Sequence, residues 1–485
     1  MSAVVVPVAV QSDPVPAELS AGGCIPQADT PQTFDRAIRG FRKEVQAMKK
    51  KPSLAGQIEA KLAANSQTLL RETCREVLQS QADGCSPHCP VCGAKLQNVE
   101  QAERTILTQW GEVTIRRAYG RCPRCKRYVA PADAALGLEA SSQTSPALEE
   151  KLCWLATQMP PVQAAEIIEH LTGQAVSPSR IDRLAQKKGK EVLKEREEDR
   201  QKAMEPGTRI DFSQGHRRWD EPAEFVLIIM IDAWMVRERD DWGHTEALLK
   251  EGIQPQRWHE VKSARIFRLD QRAQTQSGRA ILLASHMVAT RQGPGDFSEL
   301  LYTEAVICGL LRAQKVLVIA DGAVWIWNIV EDRFSDALGT LDPSHAKNHL
   351  WVVAKALFGE GSEEASRWVQ PLIAQLHQGQ ESRVIKTLAD LAAVAQELPV
   401  APILKREANY FETHKKHLDY QAKKERGEPI GSGAMESLCK QCQLRFKRPG
   451  QFWLTANDER LLELYSRRYN GRWNSLWPHL FLSEN

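Results

Sequence analysis

The spacing of apolar residues changes several times along this 485-residue chain, and each change predicts a different kind of element. Residues 1–30 hold Pro, Ala, Ser and Gly without any apolar period, so we expect this stretch to be disordered. Between residues 32 and 80 the apolar positions recur every three or four residues, which is typical of amphipathic helices. Residues 31–84 are therefore predicted to be a helical N-terminal region.

The next segment, residues 85–135, combines an alternating pattern with two Cys-x-x-Cys pairs. Residues 104–108 and 112–116 flank a Trp-Gly turn and predict a β-hairpin, with one cysteine pair on each side. Four thiolates suit tetrahedral Zn²⁺, which supplies folding free energy to a segment too small for its own core. We therefore predict a zinc ribbon with the ligands Cys89, Cys92, Cys122 and Cys125. Cys85 and His88 lie near enough in sequence to replace one of them.

Residues 146–205 are predicted to be helical and to contain a helix-turn-helix-like pair. Residues 161–171 form the first helix, and a turn that contains glycine follows it. Ser177 can cap the second helix, with Pro178 at its first position. Many helical pairs have this form without touching DNA. If the pair does read DNA, the second helix presents Arg180, Arg183, Lys187 and Lys188.

Between residues 207 and 345 the pattern changes to short apolar runs that predict β-strands. The expected strands are 225–231, 258–269, 280–289 and 315–320, with a helix near 297–312 and a short strand before Asp342. This order predicts an α/β ribonuclease-H-like core, in which the strand after the helix lies beside the first strand. Residues 346–425 read as helices only, and we expect a helical insertion there. Residues 426–485 then return to the core.

Three carboxylates stand out within this predicted core. Asp232 ends the run 225–231, Asp321 ends the run 315–320, and Glu436 lies one turn into a late helix. A buried strand that ends in Asp presents a carboxylate at the sheet edge, and hard divalent cations such as Mg²⁺ bind such oxygens. Three carboxylates that meet can hold two metals roughly 4 Å apart, which is the arrangement for in-line phosphodiester chemistry.

Each carboxylate also has a simpler explanation, because Asp after a strand is often a turn residue or a helix cap. The rival candidates are Asp211, Asp240, Asp241 and Asp342. Gly431 and Gly433, before Glu436, are expected to let the backbone approach a neighbouring strand. His345 and His349 share one helix face, and we expect them to position substrate or cap the helix rather than to bind metal.

The helix that carries Glu436 is predicted to have two faces. The apolar stripe is Met435, Leu438, Cys439 and Cys442, in which the cysteines read as core thiols. Glu436, Lys440 and Lys447 lie on another face, so the carboxylate can face metal while the lysines face phosphate.

Basic residues concentrate at two places although the formal net charge is only +3. Residues 104–127 contain seven Lys or Arg against one acid, and residues 415–448 contain nine against four. Such patches suit a polyanionic partner, and a solvated surface is an equally simple explanation for either patch alone. The candidates for DNA contact in the first patch are Arg116, Arg117, Arg121, Arg124 and Arg127.

Four stretches around these residues resemble the Kra-type insertion-sequence transposases, in the Mutator-like branch of the DDE transposases. They are Ile231-Asp-Ala-Trp234, Ile319-Ala-Asp-Gly-Ala-Val-Trp-Ile-Trp-Asn328, Leu341-Asp-Pro-Ser-His-Ala-Lys-Asn-His-Leu350 and Pro429-Ile-Gly-Ser-Gly-Ala-Met-Glu-Ser-Leu-Cys-Lys440. The tail at 445–453 and the upstream zinc ribbon add to the resemblance, which covers roughly residues 85 to 480. The chain departs from the family pattern at Ala233, where Gly is expected, and Pro343 is unusual beside its Asp-x-x-His motif.

The resemblance implies a ribonuclease-H-like catalytic domain with Asp232, Asp321 and Glu436 as a triad that holds Mg²⁺ or Mn²⁺. It implies a bacterial transposase that cuts and joins DNA at the ends of its own insertion sequence. The expected partners are double-stranded DNA, as terminal repeats and target, and further copies of the chain in a homo-oligomer on DNA. The expected location is the bacterial cytoplasm, in association with the nucleoid.

Two alternatives remain open from the sequence. One is a metal-dependent nuclease of the same fold that hydrolyses DNA without joining it, and the other is an inert zinc-dependent DNA-binding protein derived from a transposase. No apolar run approaches about 18 residues, so no membrane span is expected. The start of the chain lacks the features of a signal peptide, and cysteine pairs of this kind indicate metal binding in a reducing compartment.

Overall fold

The structure is a computed structural model of the chain. It describes residues 32–481 apart from 141, 206–223, 256 and 279. The stretch predicted to be disordered, residues 1–30, and the rival carboxylate Asp211 lie outside the described residues. The chain divides into two compact units, Met1–Ser145 and Pro146–Asn485.

The first unit consists of helices and a three-stranded antiparallel sheet. Its elements are α1 (Gln32–Lys49), α2 (Ala55–Asp83), β1 (Gln97–Thr108), β2 (Gly111–Arg121), β3 (Tyr128–Val129) and α3 (Pro131–Ala135). The predicted hairpin is confirmed, because β1 pairs with β2 across the Trp110-Gly111 turn. Ile106, Val113 and Ile115 form its buried side with Leu138.

The second unit begins with three helices, α4 (Pro146–Gln158), α5 (Pro161–Thr172) and α6 (Pro178–Met204). Helix α5 ends at Gly173, whose φ of 67° belongs to the left-handed region that favours glycine. Ser177 caps α6 as predicted, since its side chain accepts a hydrogen bond from the backbone N–H of Arg180.

A five-stranded mixed sheet forms the centre of the second unit. The elements are β4 (Val226–Arg237), α7 (Thr245–Lys250), β5 (Trp258–Arg268), β6 (Arg272–Gln274), β7 (Ala280–Leu282), β8 (His286–Thr290), α8 (Pro294–Ile307), β9 (Lys315–Ala320), α9 (Val324–Arg333) and β10 (Leu338–Leu341). The strand order is β10-β9-β4-β5-β8. The strands β10, β9 and β4 are parallel, whereas β5 is antiparallel to both of its neighbours.

The prediction of one strand over residues 280–289 was wrong. Ala280–Leu282 pairs with β6 in a separate two-stranded sheet, and only His286–Thr290 joins the large sheet. Strand β7 pairs with β6 because a short turn joins the two strands. That turn contains Gly278, whose φ of 79° favours glycine.

The apolar runs of β4 and β9 are buried because helices cover the sheet. Leu227, Ile229 and Ile231 belong to a core that includes residues of α8 and α9. Since side chains alternate along a strand, the opposite face of β4 carries Met230, Asp232 and Trp234.

Eight helices follow the sheet within the described residues. They are α10 (Pro343–Phe358), α11 (Glu363–His377), α12 (Glu381–Val394), α13 (Ala401–Thr413), α14 (Tyr420–Glu425), α15 (Gly433–Phe446), α16 (Thr455–Tyr469) and α17 (Pro478–Phe481). The stretch 346–425 is helical, as expected, and it has a buried core of its own that includes Leu350, Val369 and Phe411.

Helices α15 and α16 return to the sheet. Helix α15 lies against β4 and β5, whereas α16 lies between β8 and α6. Helices α6 and α16 approach closely at Gly189, where a Cβ would lie 2.6 Å from the carbonyl oxygen of Arg460. None of the helices that the structure describes combines the length and the hydropathy that a membrane crossing requires.

Candidate active site and metal centre

Asp232 and Asp321 lie side by side because their strands are parallel neighbours. Ile231 pairs with Ala320, and an aspartate follows each of them. The expectation that the first strand ends at Asp232 was wrong, because β4 continues to Arg237, whereas β9 does end directly before Asp321. Burial raises the pKa of Asp232, and the charge of Asp321 raises it further, whereas the N–H of Ala233 lowers it. Two carboxylates this close repel each other, and a divalent cation between them would remove that repulsion.

Glu436 lies on α15, which packs against β4. Cys439, one turn further along α15, lies with its Sγ 3.7 Å from Oδ2 of Asp232. The hydroxyl of Ser263 donates to the backbone oxygen of Asp232 and lies 3.9 Å from the same sulfur. Glu436 is partly exposed and lies 3.8 Å from Nζ of Lys440.

Cys439 is a buried thiol, as its position in the apolar stripe predicted. Burial, together with the charge of Asp232, raises its pKa to about 12. The thiol therefore stays protonated at neutral pH and can donate a weak hydrogen bond to Asp232. This contact holds α15 against the part of β4 that carries the aspartate.

The three carboxylates do not form a tight cluster. Two groups of three or more potential metal ligands have all their ligand atoms within 4.8 Å of one another, and both lie elsewhere in the described part of the chain. A two-metal site distributes its carboxylates around two ions roughly 4 Å apart. Its ligand atoms therefore need not all lie within 4.8 Å of one another. The structure thus brings Asp232 and Asp321 together and places Glu436 one helical turn from a side chain that contacts Asp232.

Asp342, a rival candidate, is occupied by backbone hydrogen bonds. Its Oδ1 accepts from the N–H groups of Ser344 and His345, which caps α10. Its Oδ2 accepts from the N–H of Ser432 at 2.7 Å, just before α15. Pro343, unusual in the motif, stands at the first helical position, where proline is favoured. Asp342 therefore fixes the start of the Glu436 helix.

Asp240 and Asp241, two further rivals, lie away from this site. Oδ2 of Asp240 accepts from the backbone N–H and the hydroxyl of Thr455 at the start of α16. Asp241 belongs to the turn before α7, where its carbonyl accepts from the N–H of His244.

The close approach of backbone expected at Gly431 and Gly433 was wrong. A Cβ at Gly431 would lie 3.9 Å from a carboxylate oxygen, which is ordinary contact, and at Gly433 it would meet nothing within 4 Å. The close approach occurs at Gly322 instead, directly after Asp321. A Cβ there would lie 2.2 Å from Cε2 of Tyr410.

Tyr410, on α13, is a residue that the sequence reasoning missed. Its ring stacks on His349, with ring centroids 3.6 Å apart. Nδ1 of His349 lies 2.5 Å from Oε2 of Glu407, a carboxylate that is 1% exposed. A buried carboxylate at Nδ1 fixes the orientation of the imidazole. No local pattern indicates this pairing, because it joins helices that are distant in sequence.

The hydroxyl of Tyr410 is buried and has no hydrogen-bond partner within the described part of the chain. Burial raises its pKa above the ordinary value, and the charges of Asp321 and Glu407 raise it further. The group therefore remains a protonated donor beside the candidate site. His345, on α10, lies close enough to Asp232 for its charge to lower the pKa of that aspartate.

A separate centre in the first unit is formed by sulfur atoms that all lie within 4.8 Å of one another. They belong to Cys89, Cys92, Cys122 and Cys125. Cys89 and Cys125 are 3.9 Å apart and Cys92 and Cys122 are 3.4 Å apart, close to the roughly 3.8 Å that follows from tetrahedral Zn–S bonds of about 2.3 Å. The N–H of Cys125 lowers the pKa of the Cys122 thiol, whereas contacts with Cys92 and Cys122 raise the pKa of the Cys125 thiol, so Cys122 is the thiol that ionises first. This cluster can hold a zinc ion.

The rival zinc ligands have other partners. The thiol of Cys85 donates to the carbonyl of Gln81 at 3.3 Å, and Nδ1 of His88 lies 3.2 Å from Oγ of Ser86. Neither belongs to the four-sulfur group.

The basic residues of the ribbon fall into two groups. Arg117 is partly buried and forms a bidentate ion pair with Asp133, so it holds the unit together. Arg116 is 73% exposed and pairs with Glu103 on the surface. Arg104 is buried and also pairs with Asp133, whereas Arg121, Arg124, Lys126 and Arg127 are exposed.

The other predicted DNA-binding residues differ in exposure. On α6, Arg183 is exposed, whereas Arg180 and Lys187 are partly buried beside a packed face of the helix. Lys440 is exposed on α15. Lys447, directly after α15, is exposed and lies with Nζ 5.0 Å from the ring centroid of Trp258.

A second group with ligand-like spacing is His286, Glu304 and Cys308, all buried. Its geometry can hold a metal, but the carboxylate of Glu304 already accepts from His286, Asn470 and Arg472. Burial alone would raise the pKa of Glu304, yet Arg472 and His286 lower it to about 2. The guanidinium of Arg472 already supplies the positive charge, so we interpret this group as a buried ion network.

Comparisons with known proteins give a partial similarity. No protein-family model matches the chain. Over 97 residues, or 20% of the chain, it is 37% identical to a Streptococcus gallolyticus protein described as "UPF0236 protein in vanSb 3'region". The match spans about a fifth (21%) of that relative's length. The similarity connects the chain with an uncharacterised group of bacterial proteins and assigns no activity.

Proposed function

We propose that this chain is a DDE transposase of the Kra type, which cleaves and joins DNA at the ends of an insertion sequence. The observation that carries the proposal is that Asp232, inside β4, lies beside Asp321, which directly follows the parallel strand β9, and that both lie near the helix that bears Glu436. The strand order and directions support a ribonuclease-H-like core. In that core the first three strands are antiparallel, and the two strands after helix α8 run parallel to the first.

In this proposal the three carboxylates supply oxygen ligands for Mg²⁺ or Mn²⁺. When bound, the metals lower the pKa of the attacking water or 3′-hydroxyl and stabilise the leaving oxygen. The protein holds the carboxylates in place, because Cys439 contacts Asp232 and Asp342 fixes the start of α15. His345 lies near Asp232, and we propose that it meets a phosphate of the substrate.

DNA binding would come from the exposed basic residues. Arg121, Arg124 and Arg127 of the ribbon and Lys440 on α15 are free of buried ion pairs that would have to break. Contacts of this kind with phosphate set affinity and position rather than sequence preference. We propose that the protein acts as a homo-oligomer on double-stranded DNA in the bacterial cytoplasm.

The test compares the wild type with Asp321→Asn on duplex DNA that carries the ends of the element, with Mg²⁺. Asn keeps the size of Asp and removes its charge, so we expect cleavage to be lost while gel-shift affinity is kept. Asp332→Asn, at an aspartate whose side chain is 68% exposed on α9, is the matched control and should cleave normally.

The products separate the possible functions. Cleaved and joined strands support a transposase, whereas cleavage without joining by the wild type favours a nuclease of the same fold. Binding without cleavage by any variant favours an inert DNA-binding protein. Cleavage by Asp321→Asn at the wild-type rate would contradict the assignment of the site.

A further inference from the structure

An exposed surface of aromatic rings and cations lies at the far end of β4, and we name it the Trp258 surface. Its members are Arg237, Trp242, Trp258, Lys447 and Phe452. Arg237 ends the strand that carries Asp232, and Lys447 directly follows the helix that carries Glu436. Two rigid elements therefore connect this surface with the candidate active site.

The segment after α15 completes the surface by joining the edge of β4. The N–H of Trp453 donates to the carbonyl of Arg237, and the N–H of Arg239 donates to the carbonyl of Trp453. These two hydrogen bonds bring Phe452 next to Arg237. These hydrogen bonds therefore hold the backbone at Trp453 in a fixed position against the end of β4 at Arg237.

The tryptophan rings of this surface are open to solvent. Trp258 is 41% exposed and Trp242 is 49% exposed. Trp242 contacts Phe452 with ring centroids 4.6 Å apart. Large aromatic rings that stay in water lose the free energy that burial would give, so a group of them indicates a binding surface.

The cations of this surface lie against aromatic rings. The guanidinium carbon of Arg237 lies 4.4 Å from the ring centroid of Phe452 and 5.3 Å from that of Trp258. Its Nε is buried without a hydrogen-bond partner in the part of the chain that the structure describes. The adjacent Glu238 is bound to Arg291 and Thr455 and does not neutralise it.

We propose that the Trp258 surface binds unpaired nucleotides of the DNA strand next to the cleavage site. This inference rests on the proposed function and deepens it. Bases within a duplex are stacked on neighbouring bases, so only unpaired bases can stack on an aromatic ring of the protein. Aromatic rings interleaved with cations bind bases through the rings and phosphates through the charges. Arg237 and Lys447 supply positive charge for a phosphate beside these rings.

The surface can be tested with the full chain in the absence of added Mg²⁺, so that binding is measured without cleavage. The probes are a blunt duplex and the same duplex with a short single-stranded extension that contains 2-aminopurine. We expect the wild type to bind the extended probe about tenfold more tightly and to quench its 2-aminopurine emission, since stacking is strong for each base.

Substitutions locate the effect. Trp258→Ala should remove the preference and the quenching, whereas Trp258→Phe, which keeps a ring, should retain most of both. Trp154→Ala is the matched control, because Trp154 is 40% exposed at a different place in the same unit. Lys447→Gln should weaken binding of the extended probe, with Lys386→Gln on the exposed side of α12 as its control.

Equal affinity of the wild type for both probes would overturn the proposal, as would a preference that survives in Trp258→Ala. These results do not depend on catalysis. A wild type that prefers the extension but never cleaves DNA would contradict the transposase proposal and support the binding surface.

Discussion

The ring of Tyr410 lies directly against Gly322, so closely that a Cβ on Gly322 would be 2.2 Å from Cε2 and 2.4 Å from the hydroxyl oxygen. Gly322 follows Asp321 at the end of β9, and Tyr410 belongs to α13. The helical segment after the sheet is therefore fitted to the backbone of the candidate active site. This contact explains why a glycine stands at a position whose backbone does not need one.

Gly322→Ala should destabilise the second unit. The added methyl group must displace the Tyr410 ring, and overpacking of this kind costs about 1–3 kcal/mol. Urea unfolding measures the loss. Gly433→Ala, where a Cβ meets nothing within 4 Å, is the control and should leave stability unchanged or slightly higher. An unchanged unfolding midpoint for Gly322→Ala would show that the ring moves freely.

Tyr410→Phe should keep the fold and raise stability slightly. It preserves the ring that stacks on His349 and removes a buried hydroxyl that lacks a partner among the described residues, a gain of about 1 kcal/mol. Tyr469→Phe is the contrast, because it breaks a 3.0 Å hydrogen bond to Ser285 and should lower stability by a similar amount. Equal losses of stability in Tyr410→Phe and Tyr469→Phe would mean that the hydroxyl of Tyr410 forms a hydrogen bond in solution.

Cys122→Ser should remove zinc and unfold the ribbon. A thiolate site of this kind contributes folding free energy directly, so a strong chelator should have the same effect on the wild type. Elemental analysis gives the zinc content, and circular dichroism reports the folded fraction. Cys85→Ser, at a thiol that bonds to a backbone carbonyl outside the cluster, should keep both. Full zinc content in Cys122→Ser would contradict the ligand set.

Glu304 should make stability depend on pH in a defined direction. Burial alone would raise the pKa of this carboxyl, but Arg472 and His286 lower it from 4.5 to about 2. Because the pKa is lower in the folded state, the contribution is complete above about pH 4.5 and is lost as the pH falls toward 2. Glu304→Gln should lose about 3–5 kcal/mol at neutral pH, because it leaves Arg472 without a carboxylate.

Urea unfolding across this pH range measures the effect. Wild type and an exposed control, Glu397→Gln, should lose stability on acidification. Glu304→Gln should lose less stability over the same range, because this variant already lacks the ion pair with Arg472. Parallel pH curves for Glu304→Gln and wild type would show that another group carries the acid sensitivity.

Part of the site could be predicted because its signals are local. Asp232 and Asp321 each end an apolar run, and two short cysteine pairs mark the sulfur cluster. The strand 280–289 was misjudged, since apolar content does not show where a strand changes its partner. Whether Glu436 completes a metal site with the two aspartates stays a prediction.

The rest depends on contacts between distant segments. The role of Asp342 follows from the N–H of Ser432, which is 90 positions away. The pairing of Glu407 with His349 joins two residues that are 58 positions apart, on different helices. A list of basic residues does not show exposure: the side chain of Arg117 is 11% exposed and is held in an ion pair, whereas Arg124 is exposed.

The hydrogen bond between Asp342 and Ser432 also sets an order of events during synthesis. At about 5–20 residues per second, a ribosome needs roughly 5–20 s to extend the chain from one residue to the other. During that interval both aspartates exist, but the helix that bears Glu436 has not yet been made. If the three carboxylates form the proposed site, a growing chain therefore holds an incomplete site until synthesis has passed this point.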